Sequence, residues 1–329
     1  MANQFRTAAD WRELTPARRV VAWVALLIAA AALAARFIPV TNHAVLAFAA
    51  LSPYLMAAGI VVALLLLARS WRAASVVIAF AAIAVMVEMP VLFADDQETA
   101  NTVALRLLTA NVHEGTADPH ALVSIARDRA DVVVLQELTP ELRINMGQNG
   151  IDVDFPYAEL DAQPYAAGVG IWSRYPIVGS RRFAGYQLGM VSASMRVPGA
   201  AADTVVVALH LPGPWPQDIG AWRQEWARLP QTLHEISRSA AASAAIVAGD
   251  FNATYDMGPF RQLLRNDFRD AAEQSGAGFA ASYPADSSVP PLLGIDHVLT
   301  FHSQASDAQT VRIPGSDHLG LSTTVHVPR

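Results

Sequence analysis

Six short stretches of this chain end in side chains of the kind that hold metal ions or move protons. In VAGDFNAT, residues 247–254, an apolar run stops at Gly249 and is followed at once by Asp250 and Asn252. The runs in LLTANVH, VVVLQEL and VVVALHL finish on Asn111, on Gln136 and Glu137, and on His210, while GIDHVLT carries Asp296 and GSDHLGL carries Asp317 and His318. Hard divalent cations prefer carboxylate, amide oxygen and water, and a chain without cysteine has no thiolate site to offer instead. A carboxylate paired with a histidine fixes the imidazole tautomer and raises its basicity, which prepares it for proton transfer. Each residue alone has a plainer reading. Asn111, Asp250 and Asn252 are common turn formers, and Glu137 and the Ser-Asp-His run at 316–318 are of a type usually solvated at a strand end or in a loop. Their recurrence at the ends of apolar runs is what sets them apart.

Those runs read as strands. LRLLTAN, DVVVLQE, GVGIWS, TVVVALH, AAIVAGD, IDHVLT and STTVHV are short and apolar, and they alternate with helical stretches such as HALVSIARDR and WRQEWARLPQTLHEIS. Residues 105–329 therefore read as a mixed α/β domain without repeats, and DSSVPP at 286–291 is a loop by its Ser and Pro content. Strand ends are where a sheet with packed faces exposes functional groups. From Asp95 onward 16 arginines face 26 acidic residues, about −10 in all, and the chain has no lysine. A protein that grips nucleic acid by neutralising phosphates shows a basic face instead. An acidic domain suits a site that gathers divalent cations.

Ahead of this domain the composition changes. Residues 20–40, 44–68 and 73–93 are almost continuously apolar, each near or above the ~20 residues a helix needs to cross the hydrocarbon core. Three transmembrane helices are expected, after a cytoplasmic N-terminus at 1–19 and before a linker at 94–104. A signal peptide is the alternative for the first run, but polar mature sequence normally follows one, and here two more apolar runs follow. Arg6, Arg12, Arg18 and Arg19 precede the first run, Arg69 and Arg72 join the second to the third, and only Arg36 lies between the first and second. Positive charge stays inside, so the N-terminus is expected in the cytoplasm and everything from Ala94 onward outside, in a multi-pass protein of the cell membrane. The absence of cysteine is compatible with an oxidising exterior. Glu88, close to Pro90 and the interface, is expected to be hydrated.

In their order, LLTANVH, VVVLQEL, GVGIWSRYPI, VVVALHL, VAGDFNA, GIDHVLT and GSDHLGL resemble the motifs of the endonuclease/exonuclease/phosphatase family, the DNase I-like metal-dependent phosphoesterases. The likeness runs from Leu105 to the end, about two-thirds of the chain. It implies a four-layered α/β sandwich, two β-sheets flanked by helices, that hydrolyses a phosphoester with Mg²⁺ or Mn²⁺. It also implies roles. Glu137 matches the main metal carboxylate, Asn111 the amide that helps to hold the metal or the phosphate, and Asp317 a further contributor to the metal site. His318 matches the catalytic histidine and Asp296 the aspartate that orients it. Asp250 matches the residue that orients or deprotonates the attacking water, Asn252 the donor to the phosphoryl oxygens, and His210 a second histidine near the phosphate, whose carboxylate partner is not identifiable. Arg174, in WSRYPI, is either a phosphate contact or a structural residue at a strand end. His297 points to the opposite face of its strand from Asp296, as a packing residue. Many members carry Arg where Gly294 stands here, so a basic substrate contact is missing or supplied elsewhere.

Three apolar runs followed by this domain resemble the membrane-anchored, VanJ-like glycopeptide-resistance subset of the family. That implies a lipid-linked phosphate such as undecaprenyl diphosphate, or a phospholipid headgroup, as substrate. After His210 comes PGPWPQDIGAWRQEW, whose Trp215, Trp222 and Trp226 suit a membrane interface, with Trp215 a substrate contact. Trp222 and Trp226, four apart on a helix, equally suit a core. An extracytoplasmic nuclease is the second reading, against which the acidic balance counts, and a catalytically inactive binding module is the third. No protein partner is expected.

Overall fold

The computed structural model of the protein describes residues 15–67, 70–95, 99–240, 243–265 and 267–329. Most of the expected cytoplasmic segment, with Arg6 and Arg12, lies outside them, as does Arg69.

Four helices come first. α1 (Pro16–Ala35) and α4 (Trp71–Leu92) are each long and apolar enough to cross a bilayer. The run expected as one helix over 44–68 is two, α2 (His43–Ala50) and α3 (Ser52–Leu67), which meet at 69°. The cause is local. Asn42 caps α2 by accepting from the Val45 amide at 3.0 Å. Pro53 lies in the first turn of α3, where its missing N–H is tolerated; in a helix continued from α2 it would clash with the preceding turn. With 16 residues α3 rises about 24 Å, less than a ~30 Å hydrocarbon core. α3 crosses α1 closely at Gly59, where a Cβ would stand 2.6 Å from the carbonyl oxygen of Ala25. Small residues at such crossings let apolar helices pack tightly. Val20, Leu27, Leu65, Ile78 and Met86 remain exposed around the bundle.

The domain that follows begins with β1 at Thr102, three residues before the expected start, and contains two six-stranded sheets. The first has the order β11 (Gln304–Arg312), β12 (Leu319–Pro328), β1 (Thr102–Asn111), β2 (Val132–Gln136), β4 (Val169–Ser173), β3 (Tyr157–Asp161). The second has the order β5 (Ile177–Arg182), β6 (Met190–Met195), β7 (Thr204–His210), β8 (Ala245–Asp250), β10 (Asp296–Phe301), β9 (Arg269–Asp270). Helices α5 (Pro119–Arg129), α6 (Pro140–Gln148) and α7 (Ile151–Asp154) belong with the first sheet; α8 (Ile219–Ala240) and α9 (Gly258–Leu263) cover the second, and a short α10 (Ala271–Ser275) follows β9.

Side chains alternate along the central strands with period two. Leu105, Leu107, Val132 and Val134 meet Val206, Ala208, Ile246 and Ala248 between the sheets. Leu108, Ala110, Val133 and Leu135 face α5 and α6, whereas Val207, Leu209, Ala245 and Val247 face α8 and α9. Strands packed on both faces read as unbroken apolar runs, which is why their sequences show no polar alternation. The result is the four-layered α/β sandwich that the resemblance implied. Trp222 and Trp226, 1% and 4% exposed, are core residues of the outer helical layer. α2 joins that same layer through Leu46, Ala49 and Ala50.

Glu88 departs from expectation. It is buried and pairs at 2.6 Å with Arg36, which follows α1 and is itself paired with Asp256 beyond β8. Arg36 also donates to the Ser52 hydroxyl at 3.1 Å, and Arg261 donates to the Arg36 carbonyl. Buried ions hold each other in place because leaving one unpaired costs several kcal/mol. This cluster therefore ties the ends of α1, α3 and α4 to the loop that follows β8.

Candidate active site

Strand register puts the polar strand ends side by side. β1 and β2 run parallel with Asn111 opposite Gln136, and β7 and β8 run parallel with His210 opposite Asp250. β10 is antiparallel to β8, with Asp296 opposite Asp250. Asn111, His210, Asp250 and Asp296 continue the alternation that fills the space between the sheets, so they converge at one end of the sandwich where the central parallel strands stop. His297 takes the other face, bonded to Asp270 at 2.9 Å and to the Ala253 carbonyl at 3.0 Å beside Phe251 and Phe260.

Three local features complete the group. Glu137 and Asn252 adopt positive φ, 60° and 48°, a strained conformation often held at functional sites. Gly249, where the sequence run stops, lies within β8 at φ 152°, and a Cβ there would stand 1.9 Å from the Leu209 carbonyl oxygen, so the close approach of β7 demands glycine. The Ser316 hydroxyl donates to the Asn111 carbonyl at 2.8 Å and accepts from the His318 amide at 3.0 Å, pinning the loop before β12 to the end of β1.

The central contacts are short. His318 Nδ1 donates to Asp296 Oδ2 at 2.8 Å, leaving Nε2 3.9 Å from Asp250 Oδ2. His210 Nδ1 donates to the Ala166 carbonyl at 3.0 Å, and its Nε2 stands 3.6 Å from Asp250 Oδ2 and 3.9 Å from Glu137 Oε1. The partner that orients His210 is thus a backbone carbonyl, not a carboxylate. Asn111 Nδ2 donates to Glu137 Oε1 at 3.0 Å and to Asp250 Oδ2 at 3.1 Å. Glu137 Oε2 accepts from the Glu114 amide at 2.6 Å, and Asp250 Oδ1 from the Asn252 amide at 2.8 Å. Asn252 Nδ2 donates to the Leu211 carbonyl at 2.8 Å, and its own carbonyl accepts from Trp222 Nε1 at 2.9 Å, so the core helix steadies the site loop. Asp317 lies 3.6 Å from His113 Nδ1.

Asn111, Glu137, His210, Asp250, Asn252, Asp296, Asp317 and His318 are brought together; Arg174 is not. β4 is antiparallel to β2, so Val169 lies opposite Gln136 while Ser173 lies opposite Val132, about 13 Å along the sheet from the cluster. Arg174 instead donates to the carbonyls of Ala130 and Arg127 at 3.0 and 2.8 Å and stacks over Phe155. Trp215, 67% exposed, stands at the cavity rim edge-on to His43.

Burial pushes the Asp250 carboxyl up to about 6; Asp296 adds to this, and His318, His210 and the Asn252 amide oppose it. For His318, burial disfavours the charged form, but the carboxylates of Asp296, Asp250 and Asp317 outweigh it and raise the imidazole to about 10. Asp317 is raised by burial, with His318 and His113 opposing and Glu137 adding.

These groups form the floor of a cavity of about 700 Å³, and none of the described residues lining it is an arginine or a lysine. One ligand atom each from Asp250, Asp296 and His318 lies within 4.8 Å of the others, and Asp296 Oδ1 is buried without a hydrogen-bond partner. Crowded carboxylates, one with an orphaned oxygen, whose charge His318 offsets only in part, fit a hard divalent ion.

Sequence reasoning missed the contribution of α2. Leu46, Ala47, Ala50 and Leu51 supply one wall of the same cavity, and His43 Nε2 bonds to the Pro214 carbonyl at 2.9 Å. Ser52-Pro53 as a helix start was the signal of a break in the apolar run.

A sandwich of this topology, with carboxylates and imidazoles gathered where its central strands end, defines a DNase I-like hydrolase. Residues 108–318 match the Endonuclease/Exonuclease/phosphatase family, and the chain belongs to that family of metal-dependent phosphoester hydrolases. No curated protein sequence matches it significantly. Among solved structures it is similar to a humanized D. rerio TDP2 with 14 mutations, 18% identical with a TM-score of 0.55 over 68% of this chain and 98% of that one. Sphingomyelinase C from Streptomyces griseocarneus is 18% identical with a TM-score of 0.51 over 68% and 99% of the two chains. An endonuclease/exonuclease/phosphatase family protein from Leptotrichia buccalis C-1013-b is 16% identical with a TM-score of 0.51 over 67% and 99%. At these identities the likeness is one of fold.

Proposed function

We propose that the protein is a membrane-anchored, divalent-metal-dependent phosphoester hydrolase whose substrate is a lipid-linked phosphate, such as undecaprenyl diphosphate, or a phospholipid headgroup, met outside the cytoplasm. The observation that carries this reading is the make-up of the cavity: an acidic, imidazole-bearing floor faces an apolar wall from α2, which belongs to the N-terminal apolar bundle. Nucleic acid offers no apolar chain for such a wall and relies on basic contacts that the lining lacks.

In this reading Glu137, Asn111 and Asp317 hold Mg²⁺ or Mn²⁺. The ion supplies Lewis acidity and a lowered pKa for water. Asp250 orients the attacking water and takes its proton through Oδ2, the oxygen that both histidines face. His318, kept charged by Asp296, and His210, with its Nε2 turned to the floor, offer hydrogen bonds where charge builds on the phosphoryl group. Asn252 keeps one side-chain N–H beyond the one bonded to Leu211. In this reading α1, α3 and α4 make three crossings, with α2 held outside against the domain and Arg18, Arg19 and Arg72 on the cytoplasmic side.

Purified protein in detergent, supplied with Mg²⁺ or Mn²⁺, should release phosphate from polyprenyl diphosphate, or act on sphingomyelin or phosphatidylinositol, and Asp250→Ala and His318→Ala should not. Efficient nicking of plasmid DNA without lipid turnover would overturn the reading in favour of a nuclease, and equal inactivity of all three proteins in favour of a binding module. A reporter active only outside the cytoplasm, fused after Arg329, should be active; silence refutes the topology.

A further inference from the structure

The apolar wall of the cavity is built from one side of one helix. His43, Leu46, Ala47 and Ala50 of α2 all line it, and their spacing of three, four and seven places them on a single helical face. Leu46 and Ala50 are buried, and Ala47 is exposed to the cavity. Opposite stands the segment from Pro212 to Asp218, which His43 fastens to α2: Nε2 lies 2.9 Å from the Pro214 carbonyl and 3.2 Å from that of Gln217, and its ring meets Trp215 edge-on at 4.7 Å. A large ring left mostly exposed between an acidic floor and an apolar wall has one polar and one apolar neighbour to serve.

We infer that α2 is a substrate-binding element: the part of an apolar chain nearest the phosphate lies along the Leu46–Ala47–Ala50 face, with Trp215 across from it. This rests on the lipid-linked reading above and specifies which residues read the lipid. The occupant is a single apolar chain carrying a terminal phosphate or diphosphate. Three observations favour it over a polar ligand. The face offers no hydrogen-bonding side chain beyond His43, which is already engaged. The cavity has the size of a small-ligand pocket, enough for a headgroup and the start of a chain but not for a whole polyprenyl tail. At Leu51 the helix bends 69° into α3, so the remainder of the chain has an apolar bundle to follow. The helices thus do more than tether the domain, because one of them completes its site.

Two substrates that share a headgroup and differ in chain length test this: dimethylallyl diphosphate and a polyprenyl diphosphate, both in the same detergent with Mg²⁺. The readout is the ratio of kcat/KM, long chain over short. Ala47→Trp fills the wall and Ala47→Asp charges it; because Ala47 is exposed, both should fold, which thermal melts of the full chain confirm. Each variant is expected to lower the ratio about tenfold or more. A ratio within about twofold of wild type in both variants, while wild type turns over the long substrate, overturns the role of α2 and leaves the function reading standing. A wild type that hydrolyses neither diphosphate and no other lipid phosphate overturns the function reading, and this inference with it. A wild type that makes no distinction by chain length overturns the inference alone.

Discussion

Replacing Asp250 with Asn is expected to stabilise the metal-free protein while abolishing its activity. Burial, reinforced by Asp296, lifts this carboxyl from 3.8 to about 6. At 1.36 kcal/mol per unit, holding the ionised form costs the fold roughly 3 kcal/mol near neutral pH. The sign follows from linkage: the unfolded chain gives up the proton first, so this group's contribution is intact below about pH 4 and is lost as pH rises through about 6. Asn removes the charge and keeps an acceptor for the Asn252 amide, but its own NH₂ then confronts Asn111 Nδ2, now 3.1 Å from Asp250 Oδ2. Losing that bond costs about 1 kcal/mol, which leaves a net gain of about 2 kcal/mol. For an α/β domain of this size that is a rise in Tm of roughly 4–8 °C. Thermal melts in detergent with EDTA should show the rise near neutral pH and its disappearance near about pH 4, where wild-type Asp250 is protonated as well. Hydrolysis should fall at least about a hundredfold. An Asn variant that melts below wild type near neutral pH without metal would refute the reasoning that this carboxylate is held ionised against its preference.

Asp296→Asn should lower the titration midpoint of His318 from about 10 by roughly one to two units, read by NMR of the imidazole; an unmoved midpoint contradicts the pairing. Because the folded value of His318 lies above the unfolded 6.5, its contribution to stability is complete below about 6.5 and is lost as pH rises through about 10, so the variant's deficit in Tm should shrink across that range. Mg²⁺ or Mn²⁺ should raise Tm more near neutral pH than near about pH 4, since the ion competes with protons for the floor carboxylates; an equal rise at both would contradict the assignment of the site. Arg174→Ala should leave kcat and KM within about twofold of wild type while lowering stability by about 1–3 kcal/mol, through lost bonds to the Ala130 and Arg127 carbonyls and lost stacking on Phe155.

How far the sequence could be read depended on whether a feature was local. Strands packed on both faces announce themselves as apolar runs, and Asn111, His210 and Asp250 closed such runs, so these residues could be placed at strand ends before any register was known. That they share one end of the sandwich follows from β1–β2 and β7–β8 running parallel, which no single strand encodes. Arg174 shows the same limit in reverse: it too ends an apolar run, but β4 is antiparallel to β2, and the end it marks is the far one. The orienting partner of His210 is a carbonyl of Ala166, an atom every residue possesses, so composition had no means of pointing to it. Glu88 looked hydrated because its partner Arg36 lies 52 residues away along the chain, and Asp256, which shares that arginine, lies 220 residues from it. The bend at Leu51 was within reach, through Pro53, but hydropathy over 44–68 is uniform and hid it.

In the proposed reaction water attacks the terminal phosphorus of a lipid diphosphate, the bond between the two phosphates breaks, and inorganic phosphate leaves while the lipid monophosphate remains. The most direct measurement places the full chain in liposomes containing a polyprenyl diphosphate, adds Mg²⁺, and follows inorganic phosphate release beside nicking of supercoiled DNA by the same preparation. The account predicts phosphate release by wild type, its loss in His318→Ala, and no nicking above background. DNA cleavage with no release of phosphate would contradict it.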